Sequence, residues 1–351
     1  MLKRRFPQGF IDRYSQFIPD FDAFLDAMQR PLRRTFRVNT HKATREQVLG
    51  LMVDLMPEPL PWYELGFVLP ENGDSPSGRE DARYSPHFPA LGKRIEHFVG
   101  LIYVQEAASM VPPLVLQPQP GERVLDIAAA PGSKTTEMSA MMQNTGLIIS
   151  NDPSPTRVRG LIGNVDRAGC LNVAVCRMDG SSLGRMVAGT CYRVLVDAPC
   201  SSEGTIRKSA QALDRWSVAT IERFPSVQKR LILAGYLALK PGGVMVYSTC
   251  TVAPEENESV VAHLLARQPE AEVQEFELPG LVMRPGLREW GRESFAEAVS
   301  RCRRILPQDN DTEPFFIALI RKGRSSPHPS TRGGEGERSE GEEAHWGTER
   351  E

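Results

Sequence analysis

Cys200 and Cys250 are the side chains with the most chemistry to offer. Cys200 closes the run Asp197-Ala198-Pro199-Cys200 and leads into Ser201-Ser202-Glu203-Gly204-Thr205, while Cys250 sits in Ser248-Thr249-Cys250-Thr251. Each follows a short apolar run, Val194-Leu195-Val196 or Val244-Met245-Val246, of the kind that forms buried parallel strands. Open α/β sheets bind their ligands at the carboxyl ends of such strands. Free cysteines are usually small buried fillers. These two follow strand ends among polar and turn residues, which points to covalent chemistry on an electrophilic ring.

A second constellation belongs to a cofactor. After the apolar run Val124-Leu125 comes Asp126-Ile127-Ala128-Ala129-Ala130-Pro131-Gly132-Ser133-Lys134-Thr135. The Gly-x-Gly-x-x-Gly spacing of a dinucleotide loop is absent, and so is a phosphate loop. Small residues at Ala128, Ala129, Ala130, Pro131, Gly132 and Ser133 instead let a ligand press against the backbone of a strand-to-helix turn. Asp152 follows 26 residues after Asp126, where an acid can bind a ribose diol. Asp179 is expected within reach of an adenine amino group, and Asp197 ends the next strand. Each acid alone reads as a turn residue. Four at successive strand ends, without a phosphate cradle, suit a nucleoside carrying positive charge, and S-adenosylmethionine is such a ligand.

The elements that must position these residues are legible. From Gly121 onward, apolar runs at 124–127, 147–150, 173–176, 193–197 and 244–246 alternate with helical patterns at 134–142, 155–168, 221–237 and 255–266. Phe315 to Ile320 reads as a buried closing strand. Such alternation predicts an α/β fold with a doubly wound, mostly parallel sheet. Before it, Phe17, Phe21, Phe24, Leu25 and Met28 recur at helical spacing, and Thr44 is placed to cap a helix carrying Val48, Leu51, Met52 and Leu55. A loop rich in Gly, Pro and acids runs from Pro70 to Pro89. The expected division is an N-terminal accessory domain over 1–100, a catalytic domain over 101–322 and a disordered tail over 323–351.

Composition sets the outer limits. No apolar run is long enough to span a membrane. Met1-Leu2-Lys3-Arg4-Arg5 is basic, but Pro7, Gly9, Asp12 and Arg13 interrupt any signal-peptide core. Six cysteines form no Cys-x-x-Cys pair, so the expectation is a cytoplasmic protein with free thiols and no metal site. The net charge of −2 divides into −3 for the tail and +1 for the body. Arg30, Arg33, Arg34, Arg37, Lys42 and Arg45 form one acid-poor cluster, and Arg284, Arg288, Arg292, Arg301, Arg303 and Arg304 a second. Both are compatible with RNA phosphate contacts.

With these residues placed, the chain resembles the RsmB/RsmF (Nop/Sun) family of RNA cytosine-C5 methyltransferases over nearly its full length. Phe36-Arg37-Val38-Asn39-Thr40 is similar to the family's Arg-Val-Asn-Thr element, and Gly100 to Met110 to its pre-sheet segment. Ala128 to Thr135 resembles the first cofactor loop. Asp197-Ala198-Pro199-Cys200-Ser201 and Ser248-Thr249-Cys250-Thr251 resemble the two catalytic motifs. Arg304-Ile305-Leu306-Pro307-Gln308 and Phe315-Phe316-Ile317-Ala318 resemble the closing segment. Two departures stand out: Ser133 replaces a frequent Gly, and Glu313-Pro314 replaces the usual Gly-Gly before Phe315.

The resemblance implies a seven-stranded Rossmann-like sheet, S-adenosylmethionine as cofactor and RNA as partner. Ribosomal RNA is the first expectation, transfer RNA the alternative, and the protein a monomer. It assigns Cys250 as the nucleophile at cytosine C6 and Cys200 to release of the adduct. Asp197 is expected at the ring N3 side, and Lys134 to favour the thiolate or orient the base. Spacing alone leaves the roles of the two cysteines open, since in cytosine DNA methyltransferases the Pro-Cys cysteine attacks. A catalytically silent RNA-binding scaffold is the competing class, though a scaffold needs neither thiol.

Overall fold

The computed structural model describes residues 6–70, 91–208 and 210–324. The expected loop from Pro70 to Pro89 and the tail beyond Arg324 lie almost wholly outside them. Helices α1 (Gln8–Tyr14) and α2 (Phe21–Gln29) come first. An antiparallel sheet follows, built from β1 (Thr35–Val38), β2 (Glu58–Leu60), β3 (Tyr63–Val68) and β4 (Ile102–Val104) in the order β2-β3-β1-β4. Helix α3 (Arg45–Leu51) precedes β2, and the short α4 (Ile95–Phe98) precedes β4. Thr44 caps α3 as its sequence indicates: its hydroxyl accepts from Gln47 N, while Gln47 Oε1 accepts from Thr44 N at 2.8 Å.

Helix α5 (Val111–Leu116) leads into the large sheet. Its alternating part runs β5 (Arg123–Asp126), α6 (Ser133–Met141), β6 (Leu147–Asn151), α7 (Pro155–Ala168), β7 (Val173–Cys176), α8 (Gly180–Met186) and β8 (Cys191–Asp197). Helices α9 (Ala210–Asp214), α10 (Val218–Ile221) and α11 (Pro225–Ala238) then precede β9 (Leu239–Thr249). The remainder is α12 (Glu258–Arg267), β10 (Ala271–Gln274), β11 (Arg284–Pro285), the ribbon β12 (Glu289–Trp290) and β13 (Glu293–Ser294), β14 (Arg303–Ile305), α13 (Pro307–Asn310) and β15 (Phe315–Lys322). The single long helix expected over 221–237 is interrupted because Pro225 has no N–H to donate and starts a new helix at its first turn.

The sheet order is β11-β14-β15-β9-β8-β5-β6-β7, with β10 also on β15. The five strands β7, β6, β5, β8 and β9 pair in parallel, and β15 joins them antiparallel. The sheet therefore has nine strands where seven were expected. Three strands join these six because β15 is eight residues long. Its first residues pair with β14 and its last with β10, and β14 in turn pairs with β11.

Successive side chains on these strands face opposite layers. Leu125, Val194, Val196, Met245 and Tyr247 pack against Leu183, Leu231 and Val260 from α8, α11 and α12. Val124, Ile148, Leu195 and Val246 pack against Val111, Leu116 and Met138 from α5 and α6. The N-terminal helices bury Phe10, Tyr14, Phe24 and Met28 against Ile206, Leu213, Val252 and Leu306, next to the segments that follow both cysteine motifs.

Two arginines foreseen as phosphate contacts are structural. Arg37 is 1% exposed. It donates to Gln105 Oε1 at 2.9 Å, Thr136 Oγ1 at 2.6 Å and Ser133 O at 3.1 Å, tying β1 to the start of α6. Arg304 is buried against Glu258. An unpaired guanidinium at either depth would carry a large desolvation cost, so their partners, not RNA, account for them. Arg284 lies closer to the surface but forms a two-pronged pair with Asp309.

Glu203 ties the N-terminal helices to both cysteine segments. Its carboxylate accepts from the Tyr14 hydroxyl, from Trp216 Nε1 at 2.7 Å, from Thr251 Oγ1 at 2.7 Å and from Val252 N at 3.1 Å. Glu203→Ala leaves these donors buried without an acceptor and is expected to cost about 3 kcal/mol or more. Urea denaturation measures it, and an unchanged midpoint would show that the clamp carries no stability.

Candidate active site

The cofactor loop gets its shape from small residues. Gly132 has φ +101°, and a Cβ there would lie 2.8 Å from Leu161 Cδ1, so a side chain at this turn is excluded twice over. The turn starts α6 at Ser133 and puts Lys134 in its first turn. The Lys134 ammonium is buried, donating to Asp197 Oδ2 at 2.7 Å and Ser109 Oγ at 2.9 Å. Burial alone would lower its pKa, but the Asp197 charge and hydrogen bond outweigh that and hold the pKa above the ordinary lysine value.

Parallel pairing of β8 with β9 sets Asp197 opposite Ser248. The Ser248 hydroxyl donates to Asp197 Oδ1 at 2.7 Å, so both carboxylate oxygens are held in place. Beyond this pair the two chains continue into the cysteine motifs, and the sulfurs of Cys200 and Cys250 lie 3.4 Å apart. Gly204 N donates to Cys250 O at 2.9 Å, at an approach where a Cβ would collide. Glu256 accepts from Ser201 N at 3.0 Å and from Gln228 Nε2 at 2.8 Å, and its other oxygen accepts from the Ser201 hydroxyl. The hydrogen bond with Cys250 and then burial drive the Cys200 pKa well above that of a free thiol.

A cavity of about 340 Å³ opens at this edge, large enough for a small-molecule ligand. Asp126, Ala128, Ala129, Ala130, Pro131, Ser133, Lys134, Asp197 and Cys250 line it. Gly132, Asp152, Asp179 and Cys200 are not on its wall. Asp152 is buried at the end of β6, with Oδ1 accepting from Ser154 N at 2.9 Å. Its Oδ2 lies 3.3 Å from Arg157 Nη1, close enough for an ion pair but not aligned for a hydrogen bond. Asp179 is exposed and caps α8, accepting from Ser181 Oγ at 2.5 Å and Ser182 N at 2.9 Å. The Ser181 bond is the main reason its pKa lies below the usual carboxylate value.

Tyr103, Gln105, Glu106, Ser109, Thr205, Lys208, Glu313 and Phe315 also line the cavity, and sequence reasoning gave none of them a role there. Most come from stretches recognised only as family-like segments. Glu313 had a signal of its own, as a departure from the family pattern.

Asp126 combines total burial with an incomplete set of partners. Its Oδ2 accepts from Thr135 Oγ1 at 2.7 Å, and its Oδ1 is buried without a partner. Burial is the largest cause of its pKa being pushed up to about 7, and the Thr135 bond opposes it. Glu256 is likewise pushed up to about 7, by burial first. An acid whose folded pKa exceeds its unfolded value contributes stability below the unfolded pKa and loses it as pH rises through the folded one. The protein is therefore expected to become less stable between about pH 4 and about pH 7 from these two groups. Asp126→Asn should make that decline shallower. Urea midpoints across this range decide it, and equal slopes for variant and wild type would remove Asp126 as a cause.

Comparison with known proteins shows the family. Residues 113–321 match the family model of 16S rRNA methyltransferase RsmB/F. Residues 6–107 match that of the N-terminal domain of 16S rRNA methyltransferase RsmF. The tRNA (cytosine(49)-C(5))-methyltransferase of Pyrococcus abyssi is 43% identical over 323 residues, 92% of this chain and 98% of that relative. Ribosomal RNA small subunit methyltransferase F of Klebsiella pneumoniae is 41% identical, covering 90% of this chain; the chain spans 64% of that relative's length. A crystal structure of a methyltransferase homolog protein from Pyrococcus horikoshii is similar at a TM-score of 0.76 and 34% identity, covering 90% of this chain and 95% of that one. The chain belongs to the RsmB/F family of RNA methyltransferases.

Proposed function

We propose that this protein methylates C5 of a cytosine in RNA, with S-adenosylmethionine as donor and a covalent link from Cys250 to cytosine C6. The observation that carries the reading is the placement of Cys250 on the cavity wall beside Lys134 and Asp197, with the Cys200 sulfur 3.4 Å behind it. Ribosomal RNA is the favoured substrate, because both matching family models are those of 16S rRNA methyltransferases. Transfer RNA is the second reading, on the strength of the Pyrococcus abyssi relative.

The residues present fit the donor. The loop from Ala128 to Ser133 leaves room against its backbone, and Asp126 and Asp152 each hold a carboxylate oxygen with no hydrogen bond among the described residues. These acids and Asp179 would hold the nucleoside, and when bound it supplies an electrophilic methyl group on a cationic sulfur.

Cytosine C5 is a weak nucleophile. Addition of the Cys250 sulfur across C6 turns the ring into an enamine and divides one hard step into two easier ones. In this reading Asp197, held by Lys134 and Ser248, lies at the N3 side of a ring whose C6 is at Cys250, and it stabilises the negative charge developing at N3 when it carries a proton to donate there. Lys134 holds a positive charge against Asp197 on the wall that Cys250 shares. The Cys200 and Cys250 sulfurs share a hydrogen bond in which either thiol can donate. Once the Cys250 sulfur is bonded to carbon, Cys200 can lose its own proton to solvent and, as a thiolate, take the C5 proton; the electrons of that C–H bond re-form the C5–C6 double bond and expel the Cys250 sulfur. The target base must leave its stack to reach the cavity, so single-stranded or unfolded RNA is the expected substrate.

Incubation with methyl donor and RNA, followed by a denaturing gel, tests the roles of the thiols. Cys200→Ala is expected to accumulate a shifted protein–RNA band, and Cys250→Ala to form none. The opposite pattern would assign the attack to Cys200, and methylation of no RNA by wild type would leave a binding scaffold. Bisulfite sequencing of treated ribosomal and transfer RNA names the substrate. Asp152→Ala and Asp179→Ala should each weaken donor binding by about 1–3 kcal/mol. Wild-type affinity in calorimetry would take that acid out of the binding site.

A further inference from the structure

Glu313 is the least expected group in the cavity. It is 3% exposed, yet it lines the same cavity as Cys250, Lys134 and Asp197. Pro314 disfavours helical backbone at the residue before it, and β15 begins directly after, at Phe315. The Glu313 N–H is held by Glu106 Oε1 at 3.0 Å, and Glu106 is fixed in turn by Ser109 N at 3.1 Å. Lys208, eight residues beyond Cys200, places Nζ 2.9 Å from Glu313 Oε1. That ammonium balances the charge but is not aligned for a hydrogen bond, and Oε1 is buried with no donor aligned to it. A buried carboxylate oxygen in this state needs a donor, and Glu313 is a residue of the cavity wall.

We propose that Glu313 accepts a hydrogen bond from the exocyclic amino group of the target cytosine and so makes the site reject uracil, an assignment that rests on the cytosine methylation proposed above. The amino group sits on C4, next to C5, while Cys250 adds at C6 on the far side of C5. A ring engaged by Cys250 at C6 therefore presents its amino group away from that sulfur, toward another wall of the cavity. Carboxylates are the side chains that accept from the cytosine amino group. Uracil carries an oxygen there, and two acceptors facing each other in a buried site repel. Asp197 is less suited to this task, because both its oxygens already accept from Lys134 and Ser248. Lys208 and Glu106 act as positioning residues: one pairs with the Glu313 carboxylate, the other fixes its backbone.

The test uses transcripts in which the target cytosine named by bisulfite sequencing is present as 5-fluorocytidine or is recoded as 5-fluorouridine. Fluorine at C5 cannot leave as a proton does, so an adduct persists on a denaturing gel. Wild type should trap fluorocytidine RNA and not fluorouridine RNA. Glu313→Gln should slow trapping of fluorocytidine RNA by roughly 10- to 100-fold and narrow the ratio between the two RNAs, with donor affinity unchanged by calorimetry. Lys208→Met should slow trapping yet keep the preference for fluorocytidine, and it carries the test if Glu313→Gln fails to fold. Wild-type rate and ratio in Glu313→Gln, or lost preference in Lys208→Met, would overturn the proposal. Wild type trapping neither RNA would instead count against cytosine methylation itself.

Discussion

The register between β8 and β9 is the constraint on which the rest of the site depends. Parallel strands with Asp197 opposite Ser248 end level with each other, so their continuations leave the sheet side by side. That is how thiols fifty residues apart in sequence come within 3.4 Å. A shift of one residue would turn Asp197 to the opposite layer of the sheet. It would also break its bond with Ser248 and remove the fixed partner of Lys134. The register is held from both faces, because Val194, Val196, Met245 and Tyr247 pack on one layer while Leu195 and Val246 pack on the other.

Beyond the strand ends there is no ladder to hold the backbone, and buried carboxylates take over. Glu256 gathers Ser201 and Gln228, while Glu203 gathers Thr251, Val252, Trp216 and Tyr14. Each carboxylate accepts several donors, which suits a group that would otherwise be costly to bury. The same environment governs the thiols. Cys200 is enclosed beside Cys250 with its pKa pushed up, whereas Cys250 reaches the cavity next to an ammonium. Two cysteines with the same intrinsic chemistry are thus made unequal by position alone.

The N-terminal region has a docking role that its charge alone conceals. Arg37 reaches Ser133 O and Thr136 at the first turn of α6, and Asn39 Nδ2 donates to Gly100 O at 2.7 Å and Ala168 O at 2.8 Å at the end of α7. The Arg-Val-Asn-Thr element therefore fixes the small sheet against the two helices that flank the cofactor loop. The pre-sheet segment contributes Gln105, Glu106 and Ser109 to the cavity from the same side. Part of the reaction chamber is consequently built by residues that precede the large sheet.

The sequence by itself determined the alternation of strands and helices, the strand ends that carry Asp126, Asp152, Asp197 and the two thiols, and the small-residue loop before α6. Those features depend on periodicity and on residue size, which are local properties. It also singled out Glu313-Pro314 as unusual, without a reason. Tertiary structure alone decided which charged groups pair. Arg37 and Arg304 read as surface cations in a one-dimensional count, yet each meets its partners only when distant segments pack. Asp152 and Asp179 look alike as strand-end acids, but one is buried with an oxygen lacking a hydrogen bond and the other caps a helix in solvent. The convergence of Glu106, Lys208 and Glu313 on one cavity joins residues from a pre-sheet segment, a loop after β8 and the approach to β15. Burial and charge pairing of that kind are set by chain separation in space, to which sequence spacing is blind.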